Sequence, residues 1–191
     1  MMPEFFNEMP EDLTGLGRRA AVVLPKDFGA VVAYTGLKSD WVVAEAGAGS
    51  GFMTVQLARI SKHVYSYENR EEHYKVALAN ITKLGLDNVT LINADISTLD
   101  KNDLNLIFLD FKDSYNYIED MHKHLRKNGW LVGYLPNIEQ AKEFHLGCEK
   151  IFTRVFTITS NITHYTVRDF GCRPDNFGMI HTGFLTFAEK S

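Results

Sequence analysis

Four short apolar runs in this chain end in residues able to hold a nucleotide-like ligand. Trp41-Val42-Val43-Ala44-Glu45-Ala46 breaks into Gly47-Ala48-Gly49-Ser50-Gly51, and Val64 to Tyr67 is followed by Glu68. Asp95 lies in Asn93-Ala94-Asp95-Ile96, past a third run, and Asp110 ends Leu106-Ile107-Phe108-Leu109. Gly47, Gly49 and Gly51 allow positive φ and remove Cβ atoms that would keep a ligand off the main chain. A carboxylate at Glu68 can accept two hydrogen bonds from ribose hydroxyls, and Asp95 can accept from the exocyclic amine of adenine. Asp110, at the mouth of such a cleft, can orient a nucleophile and stabilise the positive charge that builds on it. Each residue also has a plainer reading: a tight strand-to-helix turn for the glycines, a helix N-terminal acid for Glu68, a turn former for Asp95 and a helix cap for Asp110.

The glycine spacing selects among cofactors. A dinucleotide fingerprint has its third glycine where this chain has Phe52. A pyrophosphate must nestle against a bare helix N-terminus. An adenosyl sulfonium needs only close backbone approach for its amino-acid tail and an acid for its ribose, so S-adenosylmethionine is the expected cofactor. Glu45, Ala48, Ser50, Asn69 and Ile96 flank these positions and complete the expected cofactor contacts.

The elements that must position these residues follow from hydrophobic periodicity. Strands are expected at 41–46, 63–67, 89–93, 104–109 and 130–134, alternating with helices, the pattern of a parallel sheet crossed by helices. Such sheets bind ligands at the carboxyl ends of their strands, near the point where strand order reverses. Asn69 with Glu72 reads as a capping box for a helix carrying Tyr74, Ala77, Leu78, Ile81 and Leu84, ended by Gly85. The next helix carries Ile118, Met121, His122 and Leu125, with Lys123, Arg126 and Lys127 near its C-terminus and Gly129 as its stop. Asn137 and Gln140 open a further helix after Pro136, and Lys26 to Gly36 is expected as a short helix over the cofactor mouth. Ile151 to Ile158 and Gly183 to Ala188 read as strands of a terminal antiparallel hairpin, with a long polar loop between them containing Gly171, Pro174 and Gly178.

Composition bounds the rest. At 191 residues and 45% hydrophobic content, one substantial core is expected: a short extension at 1–24 and one α/β domain at 25–191. Cys148 and Cys172 stand in no metal-ligand spacing, so no disulfide is expected, and the chain reads as cytoplasmic. No apolar stretch long enough to span a membrane occurs. None of the seven histidines forms a zinc-type pair, so no metal is expected. His181 reads as the start of a strand, with a buried hydrogen bond. A net charge of −4 supplies no global field for nucleic acid, leaving local basic patches at Arg18, Arg19 and Lys26, at Lys123 to Lys127, and at Arg168 with Arg173.

Several segments together resemble the tRNA (adenine-N1)-methyltransferase family. They are Leu24-Pro25-Lys26-Asp27, the run Glu45 to Gly51, Tyr67-Glu68, Leu109-Asp110, Tyr134-Leu135-Pro136-Asn137-Ile138-Glu139-Gln140, and Arg173-Pro174 with His181-Thr182-Gly183-Phe184-Leu185. The family carries a β-rich amino-terminal domain where this sequence has only about two dozen residues before Leu24, so that domain is expected to be missing, and Leu24 stands where the family usually has a tyrosine. The resemblance implies a doubly wound, seven-stranded class I methyltransferase fold of Rossmann-like type. It also implies glycine-turn contacts to the methionine part, Glu68 on ribose, Asp95 on adenine, Asp110 as the catalytic acid, tRNA as partner and a homo-oligomer, dimer or tetramer. Tyr115, in the segment after Asp110, can offer a stacking face to the acceptor base, and Arg173 and His181 are the other expected substrate contacts. The alternatives are methylation of a small molecule or a protein, and a non-catalytic cofactor-binding subunit of an active methyltransferase.

Overall fold

The computed structural model describes residues 9–19, 21–174 and 181–191. Its helices are α1 (Glu11–Thr14), α2 (Pro25–Thr35), α3 (Phe52–Ala58), α4 (Glu71–Lys83), α5 (Ile118–His124) and α6 (Ile138–Glu149). Its strands are β1 (Val42–Ala46), β2 (His63–Tyr67), β3 (Val89–Ile92), β4 (Leu104–Leu109), β5 (Leu125–Leu135), β6 (Arg154–Ile158), β7 (Tyr165–Arg168), β8 (Gly171–Pro174) and β9 (Phe184–Glu189). Seven of them form one sheet in the order β3-β2-β1-β4-β5-β9-β6. The first five run parallel, and β9 lies antiparallel between β5 and β6. The expected doubly wound α/β sheet is therefore present, and its strand order reverses between β1 and β4.

Alternating side chains put each strand into two layers. Ala44, Ala46, Ile107, Leu109, Leu131 and Leu135 pack with Met121 of α5 and with Phe144 and Cys148 of α6. Val43, Leu106, Phe108 and Val132 face the other way, against Val31 of α2 and Met53 and Leu57 of α3. A smaller cluster lays Met9, Leu13, Leu16 and Leu24 over Phe52 and Val55, fastening the amino-terminal residues to α3.

Four local expectations are corrected. The Asn69–Glu72 capping box does not form: Arg70 is the cap residue of α4, without a side-chain cap, and Glu72 pairs with Arg19. Glu68 accepts the N–H of Arg70, the cap residue itself, at 3.0 Å. Helix α5 stops at His124 and β5 begins at Leu125, so neither Gly129 nor Lys127 belongs to the helix end. The reason is non-local: the Lys190 ammonium donates to the carbonyls of His122 and Leu125 at 2.6 and 2.7 Å, and the Asn128 N–H donates to the Lys190 carbonyl at 2.7 Å. Ile151 and Phe152 belong to the turn after α6, both donating to the Cys148 carbonyl, so β6 starts only at Arg154. The polar stretch between β6 and β9 was expected as loop, yet it contains the antiparallel two-stranded ribbon β7–β8. Gly178 lies outside the described residues.

Helix α2 matches its expected span, with Gly36 closing it in the left-handed region at φ 69°. It lies along the sheet face through Val31 rather than across the cleft mouth. Its first turn alone meets the strand ends, where Tyr134 donates to Asp27 at 3.2 Å.

Candidate active site

The turn after β1 is built from main chain. Gly47, Gly49 and Gly51 have φ of 85°, 58° and 80°, all in the left-handed region that disfavours side chains. At Gly47 the requirement is also steric: an added Cβ would lie 2.1 Å from the Asp110 carbonyl oxygen. The Asp110 N–H in turn donates to the Ala46 carbonyl at 2.9 Å, so the ends of β1 and β4 are in direct contact at the switch point. Gly47 and Ala48 both donate to the Tyr67 carbonyl, which bends the turn toward β2. Gly51 then opens α3 as its cap residue.

Three acids ring this turn, one in β1 and one just past the end of each of β2 and β4. Glu68 is buried; its Oε2 accepts the Gly49 N–H at 2.8 Å and its Oε1 accepts the Arg70 N–H and Nε at 3.0 and 3.1 Å. Burial alone would raise its pKa, but the hydrogen bonds from Arg70 and Gly49 and the Arg70 charge outweigh it, and the pKa is lowered. Glu45 is fully buried beneath the turn. Thr54 and Ser66 donate to its Oε2 at 2.6 and 2.9 Å, while its Oε1 has no hydrogen-bond partner among the described residues. Burial pushes Glu45 up to about 7, against the lowering effect of those two hydroxyls and with a further push from Glu68. Burial likewise raises Asp110 to about 7, helped by the negative charge of Glu45 and opposed by Arg70.

Asp95 begins the 3-10 turn Ile96–Thr98, accepting the Ser97 N–H at 2.9 Å, and it also accepts the Tyr117 hydroxyl at 3.2 Å. The plainer turn-forming reading of Asp95 is thus realised, at the end of β3. Ile96 is buried in the core layer of α5 and α6, and Asn69 is exposed beside Glu68. Ser50 is buried, but its hydroxyl accepts the Arg19 N–H at 2.9 Å, tying it to the amino-terminal segment. Ala48 is buried in the turn.

The expected substrate residues divide. Tyr115 is half-buried after Asp110, its hydroxyl 3.4 Å from Asp113. Arg173 is exposed on β8, paired in register with Thr166. His181 is exposed rather than buried, 3.4 Å from the Pro136 carbonyl, with its ring against Phe184. It lies in the exposed segment before β9, so its hydrogen-bond partner is a carbonyl at the surface and not a buried group.

Sequence reasoning missed several residues. Asn80 of α4 is buried; it accepts from the Gly17 N–H and donates to the carbonyls of Gly17 and Ser50, bracing the glycine turn. A polar residue between Ala77 and Ile81, on the inward stripe of an amphipathic helix, was its one visible signal. Arg70 is the cation that both Glu68 and Asp110 sense, and nothing in its spacing marked it.

The residues fit a cationic adenosyl cofactor. Strands in a sheet lie about 4.8 Å apart. Asp95, Glu68, the glycine turn and Asp110 stand at the ends of the successive neighbours β3, β2, β1 and β4, a linear series of polar groups suited to an elongated ligand. The unpartnered oxygen of Glu45 and the raised pKa values of Glu45 and Asp110 mark an excess of buried negative charge that a sulfonium or ammonium would relieve.

This fold and site define a class I methyltransferase. Its structure superimposes with a TM-score of 0.88 on tRNA (m1A58) methyltransferase TrmI from Aquifex aeolicus, at 27% identity over 94% of this chain and 74% of that one. A SAM-dependent O-methyltransferase from Thermotoga maritima gives 0.86 at 32% identity, over 90% of this chain and 67% of that one. The chain belongs to the tRNA methyltransferase complex GCD14 subunit family, whose model matches residues 7–179. Among its relatives, the tRNA (adenine(57)-N(1)/adenine(58)-N(1))-methyltransferase TrmI of Methanocaldococcus jannaschii is 30% identical over 92% of this chain and 74% of that protein. The tRNA (adenine(58)-N(1))-methyltransferase TrmI of Thermus thermophilus is 33% identical over 71% of this chain, which spans 55% of that relative.

Proposed function

We propose that this protein transfers a methyl group from S-adenosylmethionine to N1 of an adenine in tRNA. The observation that carries the reading is Asp110: it ends β4 at the switch point, its backbone is locked to Ala46, and its carboxyl is raised to about 7 by burial and by Glu45. When bound, the cofactor supplies a methyl group on a positively charged sulfur. The main-chain turn at 47–51 holds the amino-acid tail, Glu68 offers its remaining lone pairs to the ribose, and Asp95 faces the adenine of the cofactor.

Neutral adenine needs no strong base, because N1 already carries a lone pair. What it needs is orientation and a partner for the positive charge left on the ring after attack. Asp110, ionised, accepts from the exocyclic amine of the acceptor and opposes that charge. A carboxylate about 4 Å from a unit cation is worth roughly 4 kcal/mol at an effective dielectric of about 20, and only the part that grows toward the transition state accelerates the reaction. The acceptor base must leave the tRNA stack to reach this depth, an unstacking cost of a few kcal/mol. A homo-oligomer belongs to the same reading; Val167 and Phe170, 74% and 87% exposed on the β7–β8 ribbon, are apolar surface for such an assembly.

The test is transfer of labelled methyl to unmodified tRNA, with nucleoside analysis of the product. Label in 1-methyladenosine, falling by about 10²–10³-fold in Asp110→Asn, is the expected result. Label that appears only in a metabolite extract or in protein would overturn the tRNA assignment.

A further inference from the structure

Three of the segments that carry the family resemblance, remote in sequence, close on one buried polar cluster whose function the methyl-transfer reading leaves unassigned. The Lys26 ammonium donates to Asp27 Oδ1 at 2.7 Å, to Thr182 Oγ1 at 2.6 Å and to the Ser160 carbonyl at 2.6 Å. Asp27 Oδ2 accepts from Thr182 Oγ1 at 2.7 Å and from the Tyr134 hydroxyl at 3.2 Å. Asp27 has no exposed side-chain surface and Lys26 only 8%. All three ammonium protons are used. The first turn of α2, the end of β5, the segment after β6 and the start of β9 are thereby tied at one point.

The cluster lies beside Asp110. Leu109 of β4 pairs with Gly133 of β5, so Tyr134 stands next to Asp110 in the sheet, its ring stacked on Phe108 at 6.2 Å. Gly183 makes the seat for that ring: a Cβ there would come within 2.7 Å of it. The residues assigned to the cofactor occupy β1, β2 and β3, on the other side of Asp110. The acceptor therefore approaches over β4 and β5, where this cluster forms the wall.

A buried ion pair seldom stabilises a fold more than apolar groups of equal volume, because the desolvation cost offsets the attraction; what it can supply is a single registry. We propose that Lys26, Asp27 and Thr182 are positioning residues for the methyl acceptor, a clasp that turns the Tyr134 hydroxyl inward and seats the start of β9 against the end of β5. The inference rests on the proposed methyl transfer at Asp110. Its action is confined to the acceptor side, so donor binding is independent of it.

The decisive comparison replaces the pair by apolar groups of similar size, Lys26→Met with Asp27→Leu, and separately makes Asp27→Asn. In both proteins the dissociation constant for S-adenosylmethionine, by calorimetry, stays within about twofold of wild type, while kcat/KM for tRNA falls at least about tenfold. The melting temperature of the double variant is not lowered. A second readout needs no activity. The Tyr134 phenol is held above its usual range by burial and by the charges of Asp27 and Asp110. Ultraviolet titration, with Tyr134→Phe as the subtraction control, finds it lower in Asp27→Asn. Donor affinity, acceptor kinetics and melting temperature all falling together, or acceptor kinetics unchanged, would overturn the clasp. If the wild-type protein methylates no tRNA, the proposed function falls, and the clasp is judged by the titration: an unshifted phenol in Asp27→Asn overturns it.

Discussion

Glu45→Gln tests the electrostatics of the site through stability alone. Burial lifts the Glu45 carboxyl from 4.5 to about 7, the Thr54 and Ser66 hydroxyls oppose that rise, and Glu68 adds to it. The folded protein therefore keeps a proton that the unfolded chain releases between pH 4.5 and about 7, and folding stability falls as pH rises through that window. At about 1.4 kcal/mol per pKa unit, the loss for this one group is about 3 kcal/mol, complete by about pH 8. Glutamine keeps an oxygen for Thr54 and Ser66 and cannot ionise. Urea denaturation from pH 5 to pH 8.5 reads the difference between the two proteins, which cancels the titrating groups that do not sense Glu45 and leaves Glu45 with its coupling to Asp110. The variant is expected to match wild type near pH 5 and to exceed it by up to about 3 kcal/mol at pH 8. At the same pH it binds S-adenosylmethionine more weakly, having lost a negative charge near the sulfonium, the usual exchange of stability against function. A stability difference that is flat with pH, or that grows toward acid, would refute the reasoning, because Glu45 would then be ionised in the folded protein throughout.

Gly47→Ala places a methyl group 2.1 Å from the Asp110 carbonyl in a backbone with φ of 85°, so a loss of at least about 2 kcal/mol is expected in thermal unfolding, together with loss of activity as the end of β4 is pushed away. Asn80→Ala strands the Gly17 N–H and the carbonyls of Gly17 and Ser50; a cost of about 1–3 kcal/mol is expected, with faster proteolysis of the amino-terminal segment at limiting protease. Glu68→Gln puts an amide donor where the Gly49 N–H or Arg70 requires an acceptor; titration calorimetry is expected to find S-adenosylmethionine affinity about tenfold weaker or worse, whereas unchanged affinity would remove Glu68 from the cofactor site.

The central strands β1 and β4 were legible because their residues are largely apolar on both faces, a local signal, whereas β7 and β8 lie exposed and carry no such pattern. The glycine turn was legible for the same reason: positive φ at three alternate positions immediately after β1 excludes almost every side chain but hydrogen. Glu68 and Asp110 could be nominated from their place at strand ends. The start of β5 could not, because Lys190, remote in sequence, holds the carbonyls that end α5. The capping box at Asn69 failed for a related reason: Arg70 takes the cap position, and Glu72 pairs with Arg19, remote in sequence.

By itself, then, the order of residues determined the strand segments, the bare turn and the acids at the ends of β2 and β4, since these show in patterns within a few positions of the chain, whereas the pairing of β1 with β4 joins residues about sixty positions apart. Tertiary structure alone decided which acids share a field. Glu45 and Asp110 are raised to about 7 because the ends of β1 and β4 meet at the switch point, which desolvates both carboxyls and sets Asp110 in the field of Glu45. It alone also brought Lys26, Asp27, Tyr134, Ser160 and Thr182 together. Their spacing along the chain carries no pattern, and only burial makes the pairing of charge obligatory.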